Sequence, residues 1–168
     1  MKATDRKLYC RVSQPYIDRP QSIGYSATIS APHMHAYALE LLQNHIKPNS
    51  RVLDVGAGSG FLSVCFSRFL QAQSIDSTGF VVGIEHHPKL VEFAIGNINS
   101  DDPKLLANGK IKIIQGDGRL GFAEFSPYDA IHVGAAASEI PDELLKQLAI
   151  GGRMICPVGP GEKNDRNL

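Results

Sequence analysis

A glycine-rich turn is the first feature of this chain whose residue types and spacing suggest chemistry. Gly56, Gly58 and Gly60 fall within residues 52–61, VLDVGAGSGF, directly after an apolar run. Glycines this close together destabilise regular structure, so the pattern predicts a turn that brings bare backbone against a ligand. A turn between a strand and a helix also aims the first amides of the helix at negative charge, which suits a phosphate or a carboxylate.

Two acidic residues follow later apolar runs and extend this interpretation. Glu85 ends the run 80–85, where a carboxylate can accept hydrogen bonds from both hydroxyls of a ribose. Asp117 stands between Gly116 and Gly118, where it can accept from an adenine amino group while the Gly118 amide meets the ring. Alternatives stay open: a solvated charge at a strand end for Glu85, and an Asx turn for Asp117.

The spacing of the glycines separates two classes of cofactor. The dinucleotide fingerprint is GxGxxG, whereas in Gly56-x-Gly58-x-Gly60 the third glycine comes one residue earlier, and Asp54 precedes the triplet. This spacing is typical of S-adenosylmethionine-dependent methyltransferases, whose cofactor carries a carboxylate instead of a pyrophosphate. Taken alone, the triplet is also compatible with a tight turn packed against a neighbouring helix.

The hydrophobic pattern predicts the elements that position these residues. Apolar runs predict strands at residues 51–55, 80–85, 110–115, 128–133 and 153–158. Helical spacing predicts helices from residue 33 to the Lys47-Pro48 pair and over 61–70, 88–97 and 141–148. This alternation predicts an α/β fold: a mostly parallel sheet with helices on both faces. Ligands of such sheets bind beyond the carboxyl ends of the strands, so we expect the loops after the first four strands, including 134–137, to share one crevice.

Composition restricts the class of protein. With 168 residues, 43% of them hydrophobic and 20% charged, the chain suits one globular domain. Seventeen basic residues balance 17 acidic ones, which argues against a nucleic-acid or membrane partner. No signal peptide or membrane-spanning run is evident, so we expect a cytoplasmic, cytosolic protein. Cys10, Cys65 and Cys156 are odd in number and widely spaced, which predicts reduced thiols, with Cys65 and Cys156 buried.

Longer stretches carry a more specific signal. They are RPQSIGYSATISAPHMHAYALELLQ at residues 19–43, and LDVGAGSG, GDGRLGF, PYDAIHVGAAA and GGRMICPVGP further on. Together they closely resemble the protein-L-isoaspartate (D-aspartate) O-methyltransferases. The resemblance implies a Rossmann-like S-adenosylmethionine-dependent methyltransferase fold. It also implies methyl transfer from S-adenosylmethionine to the free carboxylate of L-isoaspartyl and D-aspartyl residues in damaged peptides and proteins, which initiates their repair.

The resemblance also assigns site residues. The family's active-site serine falls on Ser30, and its cofactor contacts fall on Ala27, Thr28, Ile29, Ser30, His35, Ser59, Glu85, Asp117 and Gly118. The glycine turn adds Asp54, Gly56 and Gly58 to the predicted cofactor site. No metal site is expected, because His33 and His35 would point to different faces of a helix and no third ligand is evident. The segment 22–25 resembles the family's substrate-side loop, along which an extended peptide can bind through its backbone.

Chemical reasoning gives Ser30 an orienting role. The acceptor carboxylate, with an unperturbed pKa of about 4, is already ionised at neutral pH and needs no general base. The protein then has to place donor and acceptor in line and to exclude water. Ideal geometry can lower the activation barrier by roughly 7 to 11 kcal/mol. A Ser30 hydroxyl that donates to one carboxylate oxygen leaves the other oxygen facing the methyl group. The alternative for Ser30 is an N-cap of the first helix, which Pro32 would begin.

Compared with the family pattern, this sequence starts almost at its ATDR motif and stops soon after PVGP. We therefore expect a methyltransferase domain over residues 1–160 that opens with an ordered loop region, 1–32, and lacks the family's C-terminal strands. The polar tail 161–168 is expected to be disordered, and the last strand to be an unpaired edge. The alternative function is a truncated, catalytically silent module that binds the cofactor or a partner. An NAD-dependent oxidoreductase fails on glycine spacing, and a monomer is expected from the family.

Overall fold

The computed structural model describes residues 1–159. In chain order the strands are β1 (Gln21–Gly24), β2 (Ala27–Ile29), β3 (Arg51–Val55), β4 (Phe80–Glu85), β5 (Ile111–Gln115), β6 (Tyr128–Val133) and β7 (Leu148–Ile155). The helices are α1 (Pro32–Leu42), α2 (Phe61–Gln73), α3 (Pro88–Asp101), α4 (Lys104–Ala107) and α5 (Asp142–Lys146). Short 3-10 turns occupy Arg6–Leu8, Gly118–Leu120 and Ala123–Phe125.

Strands β3 to β7 form one parallel sheet in the order β5-β4-β3-β6-β7. The chain builds outward from β3 through β4 to β5, then returns to the other side of β3 as β6. The direction of strand order therefore reverses between β3 and β6, and a ligand crevice is expected at the carboxyl ends of these two strands. The predicted α/β class, the parallel sheet and the first four strand positions are confirmed.

Apolar side chains cover both faces of the sheet. On one face Val52 of β3 belongs to a core with Phe66 of α2 and Tyr9 of the N-terminal segment. On the other face Leu53 belongs to a second core with Ile131 of β6 and Leu144 of α5. Since successive side chains of a strand point to opposite faces, this division explains why the strands read as nearly continuous apolar runs.

The predicted position of the last strand was wrong. The pattern predicts a strand at 153–158 after a helix over 141–148, whereas β7 starts at Leu148 and α5 ends at Lys146. The Gly151-Gly152 pair, interpreted as the turn before the strand, lies inside it at a register shift: Tyr128 pairs with Leu148 but Ala130 pairs with Arg153. Gly151 takes a φ of 79° there, as glycines at bulges do. Within residues 1–159, β7 pairs with no sheet strand besides β6, as expected for an edge.

The N-terminal region departs from the predicted loop over 1–32. It contains the antiparallel hairpin of β1 and β2, whose turn residues Tyr25 and Ser26 both have left-handed φ values of 53° and 59°. Hairpin turns of this kind normally carry Asn or Gly at these positions, so Tyr25 and Ser26 do not predict a turn. The first helix also ends at Leu42, before the predicted stop at Lys47. The domain boundary at 160 and the predicted disorder of 161–168 lie outside the described residues.

Two further sequence expectations meet the structure here. Cys10 and Cys65 are buried free thiols, whereas Cys156, predicted to be buried, is partly exposed. Among residues 1–159 there is no helix with both the length and the apolar character to cross a membrane.

Two glycines give a matched test of the packing. A Cβ atom at Gly83 in β4 would lie 2.8 Å from the Ile113 side chain and 3.0 Å from Ala57, so Gly83→Ala is expected to lower the free energy of unfolding by about 1–3 kcal/mol through overpacking. Gly96 on α3 has no atom within 4 Å of such a position, so Gly96→Ala should raise it by about 0.5–1 kcal/mol. Urea unfolding measures both, and changes of the same sign would contradict this packing.

Candidate active site

The glycine turn after β3 has the bare, left-handed backbone that the sequence predicts. Gly56, Gly58 and Gly60 have φ values of 77°, 53° and 83°, which side chains other than glycine rarely adopt. The amides of Gly56 and Ala57 both donate to the Ile84 carbonyl at 2.9 Å, so the turn is held against β4. Gly60 is the N-cap of α2, which therefore begins at the turn.

Glu85 at the end of β4 is buried, with 4% of its surface exposed, so the alternative of a solvated strand-end charge is wrong. Its Oε2 accepts from the Gly58 amide at 3.1 Å, and its Oε1 accepts from the His87 amide at 3.1 Å. The exposed His86 ring also lies 3.1 Å from Oε1. A carboxylate offers about four acceptor positions, so Oε2 keeps a lone pair for a ligand hydroxyl.

Asp54 lies beneath the glycine turn rather than at the surface of the crevice. It is 1% exposed, and both of its oxygens are occupied within the protein. Ser63 of α2 donates its hydroxyl to Oδ2 at 2.5 Å, and the His132 ring meets Oδ1 at 2.8 Å from the paired position on β6. Asp54 thus ties β3 to α2 and β6. His132 was missed by sequence analysis, although a single histidine in the apolar run 128–133 was a visible signal.

Asp117 after β5 is held by its own loop. Its carboxylate accepts from the Arg119 amide at 2.9 Å and pairs with the Arg119 guanidinium, with Nη2 at 2.7 Å from Oδ2. The hydrogen bonds from Arg119 hold the pKa of Asp117 below its ordinary value. The Asx-turn alternative is therefore confirmed, while a contact to adenine stays a prediction. A Cβ at Gly118 would lie 2.5 Å from the Val55 side chain, so this loop needs glycine to lie against the end of β3.

A cavity of about 740 Å³ fills the crevice between the ends of β3 and β6. Three predicted site residues, Gly56, Asp117 and Gly118, line it. Residues 135–137 of the predicted loop 134–137 line it as well, together with the apolar side chains of Val55, Ile84, Val133 and Leu144. An apolar floor with a carboxylate at its rim suits a flat heteroaromatic ring that carries an amino group.

Ser30 and His35 form a second part of the site, on the N-terminal side. Helix α1 has Ala31 as its N-cap and receives no side-chain capping bond, so the cap alternative for Ser30 is wrong. The Ser30 carbonyl accepts from Arg6 Nη2 at 2.9 Å. His35 is 6% exposed, and its ring packs 5.1 Å from the ring of Phe61, the first residue of α2. Through Phe61 this part of the site adjoins the glycine turn.

The hairpin lies over the glycine turn. Ile23 of β1 reaches within 3.4 Å of the position that a Gly58 Cβ would take, and the Tyr25 ring packs 4.7 Å from the His87 ring after β4. Along β2, Ala27 is half-buried, Thr28 exposed and Ile29 buried. Ser59 is buried within the turn, where its carbonyl accepts from Asn97 at 3.1 Å.

The predicted residues therefore form two groups around the turn. A hydrogen bond from Gly58 to Glu85 links the loop after β3 to the end of β4, and the loop after β5 shares the cavity with Gly56. Ser30 and His35 do not line that cavity; they reach the turn through Arg6 and Phe61. Arg6 was missed, since a lone arginine in a loop carries no pattern.

His33 and His35 point to different faces of α1, as predicted. His33 is exposed and hydrogen bonds to Asp18 at 2.8 Å, whereas His35 faces the core. In the part of the chain that the structure describes, no three potential ligands come together at a metal site.

Comparison with known proteins decides the family. Residues 1–167 match the family model described as "Protein-L-isoaspartate(D-aspartate) O-methyltransferase (PCMT)". The chain belongs to this family. Family members are enzymes that use S-adenosylmethionine to methylate isoaspartyl residues, so the resemblance and the cofactor class inferred from the glycine spacing are confirmed.

Individual relatives agree with the family model. The chain is 50% identical over 161 residues to protein-L-isoaspartate O-methyltransferase 1 of Arabidopsis thaliana, covering 95% of this chain and 68% of that protein. It is 52% identical over 158 residues to the enzyme of Caenorhabditis elegans, covering 94% and 68%. A crystal structure of a Plasmodium falciparum member in complex with S-adenosyl-L-homocysteine has a TM-score of 0.88 at 41% identity, covering 95% of this chain and 74% of that one.

His35 predicts a loss of stability in acid. Burial, followed by the charges of Arg6 and His132, lowers its pKa from 6.5 to about 3, and the charge of Asp54 only partly opposes them. Between pH 6.5 and pH 3 the His35 ring is protonated in the unfolded chain but stays neutral in the folded chain. The free energy of unfolding should therefore fall by about 1.4 kcal/mol per pH unit on account of this group.

His35→Gln should remove this contribution. Urea unfolding at pH 7 and pH 5 should show a smaller difference in His35→Gln than in the wild type. The exposed His33 supplies the control, since His33→Gln should keep the wild-type difference. An unchanged difference in His35→Gln would contradict a neutral, buried His35.

Proposed function

We propose that this chain methylates the free carboxylate of L-isoaspartyl and D-aspartyl residues in damaged peptides and proteins, and that Ser30 orients the acceptor. The observation that carries the proposal concerns Ser30: its hydroxyl is not used as a helix cap, and Ser30 directly follows the hairpin whose Ile23 side chain lies over the glycine turn. The chain spans 68% of two of its relatives and 50% of a third.

The site residues fit S-adenosylmethionine. Asp117 and the Gly118 amide offer an acceptor and a donor for adenine at the rim of the cavity, and the remaining lone pair of Glu85 Oε2 suits a ribose hydroxyl. The bare turn at Gly56 and Gly58 lets the backbone approach closely. When bound, S-adenosylmethionine supplies a methyl group already activated on a sulfonium.

The protein's task is then to hold the acceptor. An isoaspartyl carboxylate is ionised at neutral pH, so no side chain has to remove a proton. The Ser30 hydroxyl donates to one acceptor oxygen and directs the other toward the methyl group. A hydroxyl withdraws less charge from the nucleophile than a cation would, so the acceptor stays reactive.

An edge of the hairpin suits an extended acceptor peptide. Strand β1 pairs only with β2 among residues 1–159, so its outer backbone groups face away from a partner. A peptide that adds to this edge is recognised through its main chain. Such recognition tolerates many flanking sequences, which suits the repair of randomly damaged sites.

The cysteines indicate the compartment in which the protein works. Three free thiols fit a reducing compartment, and burial raises the pKa of each, which keeps them protonated. We propose a monomer in the cytosol that acts on proteins and peptides, without a nucleic-acid or membrane partner.

Ser30→Ala tests the orienting role. Because it removes one hydrogen bond to a charged acceptor, methyl transfer to an isoaspartyl peptide should fall about 10- to 100-fold. The affinity for S-adenosylhomocysteine, measured by calorimetry, should change far less. Ser100 on the exposed side of α3 gives the control, since Ser100→Ala should leave both quantities unchanged. Equal losses of rate and affinity in Ser30→Ala would contradict an orienting role.

The same assay separates the enzyme from a silent module. Wild-type chain should transfer a labelled methyl group to an isoaspartyl peptide and not to its aspartyl counterpart. Binding of S-adenosylhomocysteine without any methyl ester would favour the silent module instead.

Glu85→Gln tests the cofactor end of the site. The change removes the charge that binds the Gly58 and His87 amides and that is available to a ribose, so affinity for S-adenosylhomocysteine should fall about 10- to 100-fold. Glu92 on α3 is an exposed glutamate paired with Lys89, so Glu92→Gln serves as the matched control. Wild-type affinity in Glu85→Gln would exclude a contact between this carboxylate and the cofactor.

A further inference from the structure

Arg6 is a buried cation whose hydrogen-bond acceptors are all neutral. It is 4% exposed. Its Nε donates to the Pro15 carbonyl at 2.7 Å, its Nη2 to the Ser30 carbonyl at 2.9 Å, and its Nη1 lies 3.4 Å from His35 Nδ1. Each of the three guanidinium nitrogens thus points to a different segment of the chain.

This arrangement is costly for a purely structural residue. None of the ion pairs formed within residues 1–159 includes Arg6. A buried charge without an anionic hydrogen-bond partner disfavours folding. The Phe61 ring, whose centre lies 5.7 Å from the guanidinium, and the charge of Asp18 offset this cost only in part. What a guanidinium offers and a neutral side chain lacks is a rigid, planar set of donors that reaches three acceptors at once.

The contact with Arg6 determines which nitrogen of the neutral His35 ring carries the proton. A guanidinium only donates hydrogen bonds, so His35 Nδ1 has to accept, and the proton of the neutral ring resides on Nε2. Packing against Phe61 and almost complete burial hold the His35 ring in the orientation in which Nδ1 faces Arg6. The charged and titratable groups facing it are Arg6, His132 of β6 and Asp54 of β3.

We propose that Arg6 is a positioning residue of the methyl-transfer site, whose guanidinium holds the Ser30 main chain and fixes the His35 ring as the Nε2–H tautomer. The kinetic consequence rests on the proposed function, whereas the tautomer does not. Arg6 acts through Ser30, since its bond is to the carbonyl and leaves the hydroxyl for the acceptor. A displacement of about 1 Å at such a site can cost about 100-fold in rate.

The wild-type protein provides the first test. Long-range ¹H–¹⁵N spectra of the labelled chain report which ring nitrogen of each histidine carries the proton, and the signal missing in His35→Gln assigns His35. Between pH 5 and pH 7 we expect an unprotonated Nδ1 and a protonated Nε2. A proton on His35 Nδ1, or a ring that becomes doubly protonated in this range, would overturn the proposal without any measurement of activity.

Variants at Arg6 provide the second test. Arg6→Lys keeps the positive charge but cannot donate to all three acceptors at once. Arg6→Met removes the charge and every hydrogen-bond donor of the side chain. In both variants, kcat for an isoaspartyl peptide should fall at least tenfold while KM changes less than threefold. The NMR signals of His35 should also cease to show the Nε2–H tautomer alone. Arg11, an exposed arginine near the Phe93 ring, supplies the control, since Arg11→Met should match the wild type.

The outcomes separate the two proposals. Wild-type kcat in a folded Arg6→Lys variant would overturn the positioning role. A wild-type chain that transfers no methyl group would overturn the proposed function and, with it, the kinetic role of Arg6, but not the His35 tautomer, which is measured without turnover. If neither Arg6 variant folds, the wild-type spectrum still tests the proposal, because a proton on His35 Nδ1 would overturn it.

Discussion

The hydrogen bond from the Gly58 amide to the Glu85 carboxylate is the interaction on which the rest of the site depends. It fastens a turn with left-handed backbone to the end of the neighbouring strand, so the loops that follow β3 and β4 are held against each other. Two amides that donate to the Ile84 carbonyl reinforce the link. Two residues before the turn, Asp54 ties β3 to α2 through Ser63 and to β6 through His132. The result is a preformed rim that a ligand does not have to organise.

The N-terminal segment is fixed to this rim through Phe61. As the first residue of α2, Phe61 follows directly after the glycine turn, and its ring contacts both His35 and Arg6. Arg6 then reaches the Ser30 carbonyl. The serine assigned to the acceptor and the glycines assigned to the cofactor are therefore joined by packing within one core. Methyl transfer depends on alignment of donor and acceptor, so a rigid path between the two groups is the physical requirement that this packing meets.

Local pattern predicted the sheet but not its irregularities. The strands at 51–55, 80–85 and 128–133 were visible because each is buried on both faces and reads as an apolar run. The bulge at Gly151 was not, since a glycine pair favours a turn unless a partner strand imposes its register. Likewise the hairpin turn at Tyr25 has no local signal. For the site, the glycine turn and Glu85 followed from type and spacing. Arg6 acts through contacts distant in sequence, which no local pattern encodes. The single histidine in the apolar run 128–133 stands out, but nothing local identifies Asp54 as its partner.

The contrast between Asp117 and the two buried carboxylates shows how the site divides its work. Glu85 and Asp54 are almost fully enclosed, so their hydrogen bonds are strong and their geometry is fixed. Asp117 is paired with Arg119 at the protein surface, and exposed ion pairs of this kind contribute only about 0–1 kcal/mol. A ligand amino group can therefore replace the guanidinium at little cost. In the proposed enzyme Glu85 positions the cofactor, Asp54 ties β3 to α2 and β6, and the partly exposed Asp117 adjusts to the adenine.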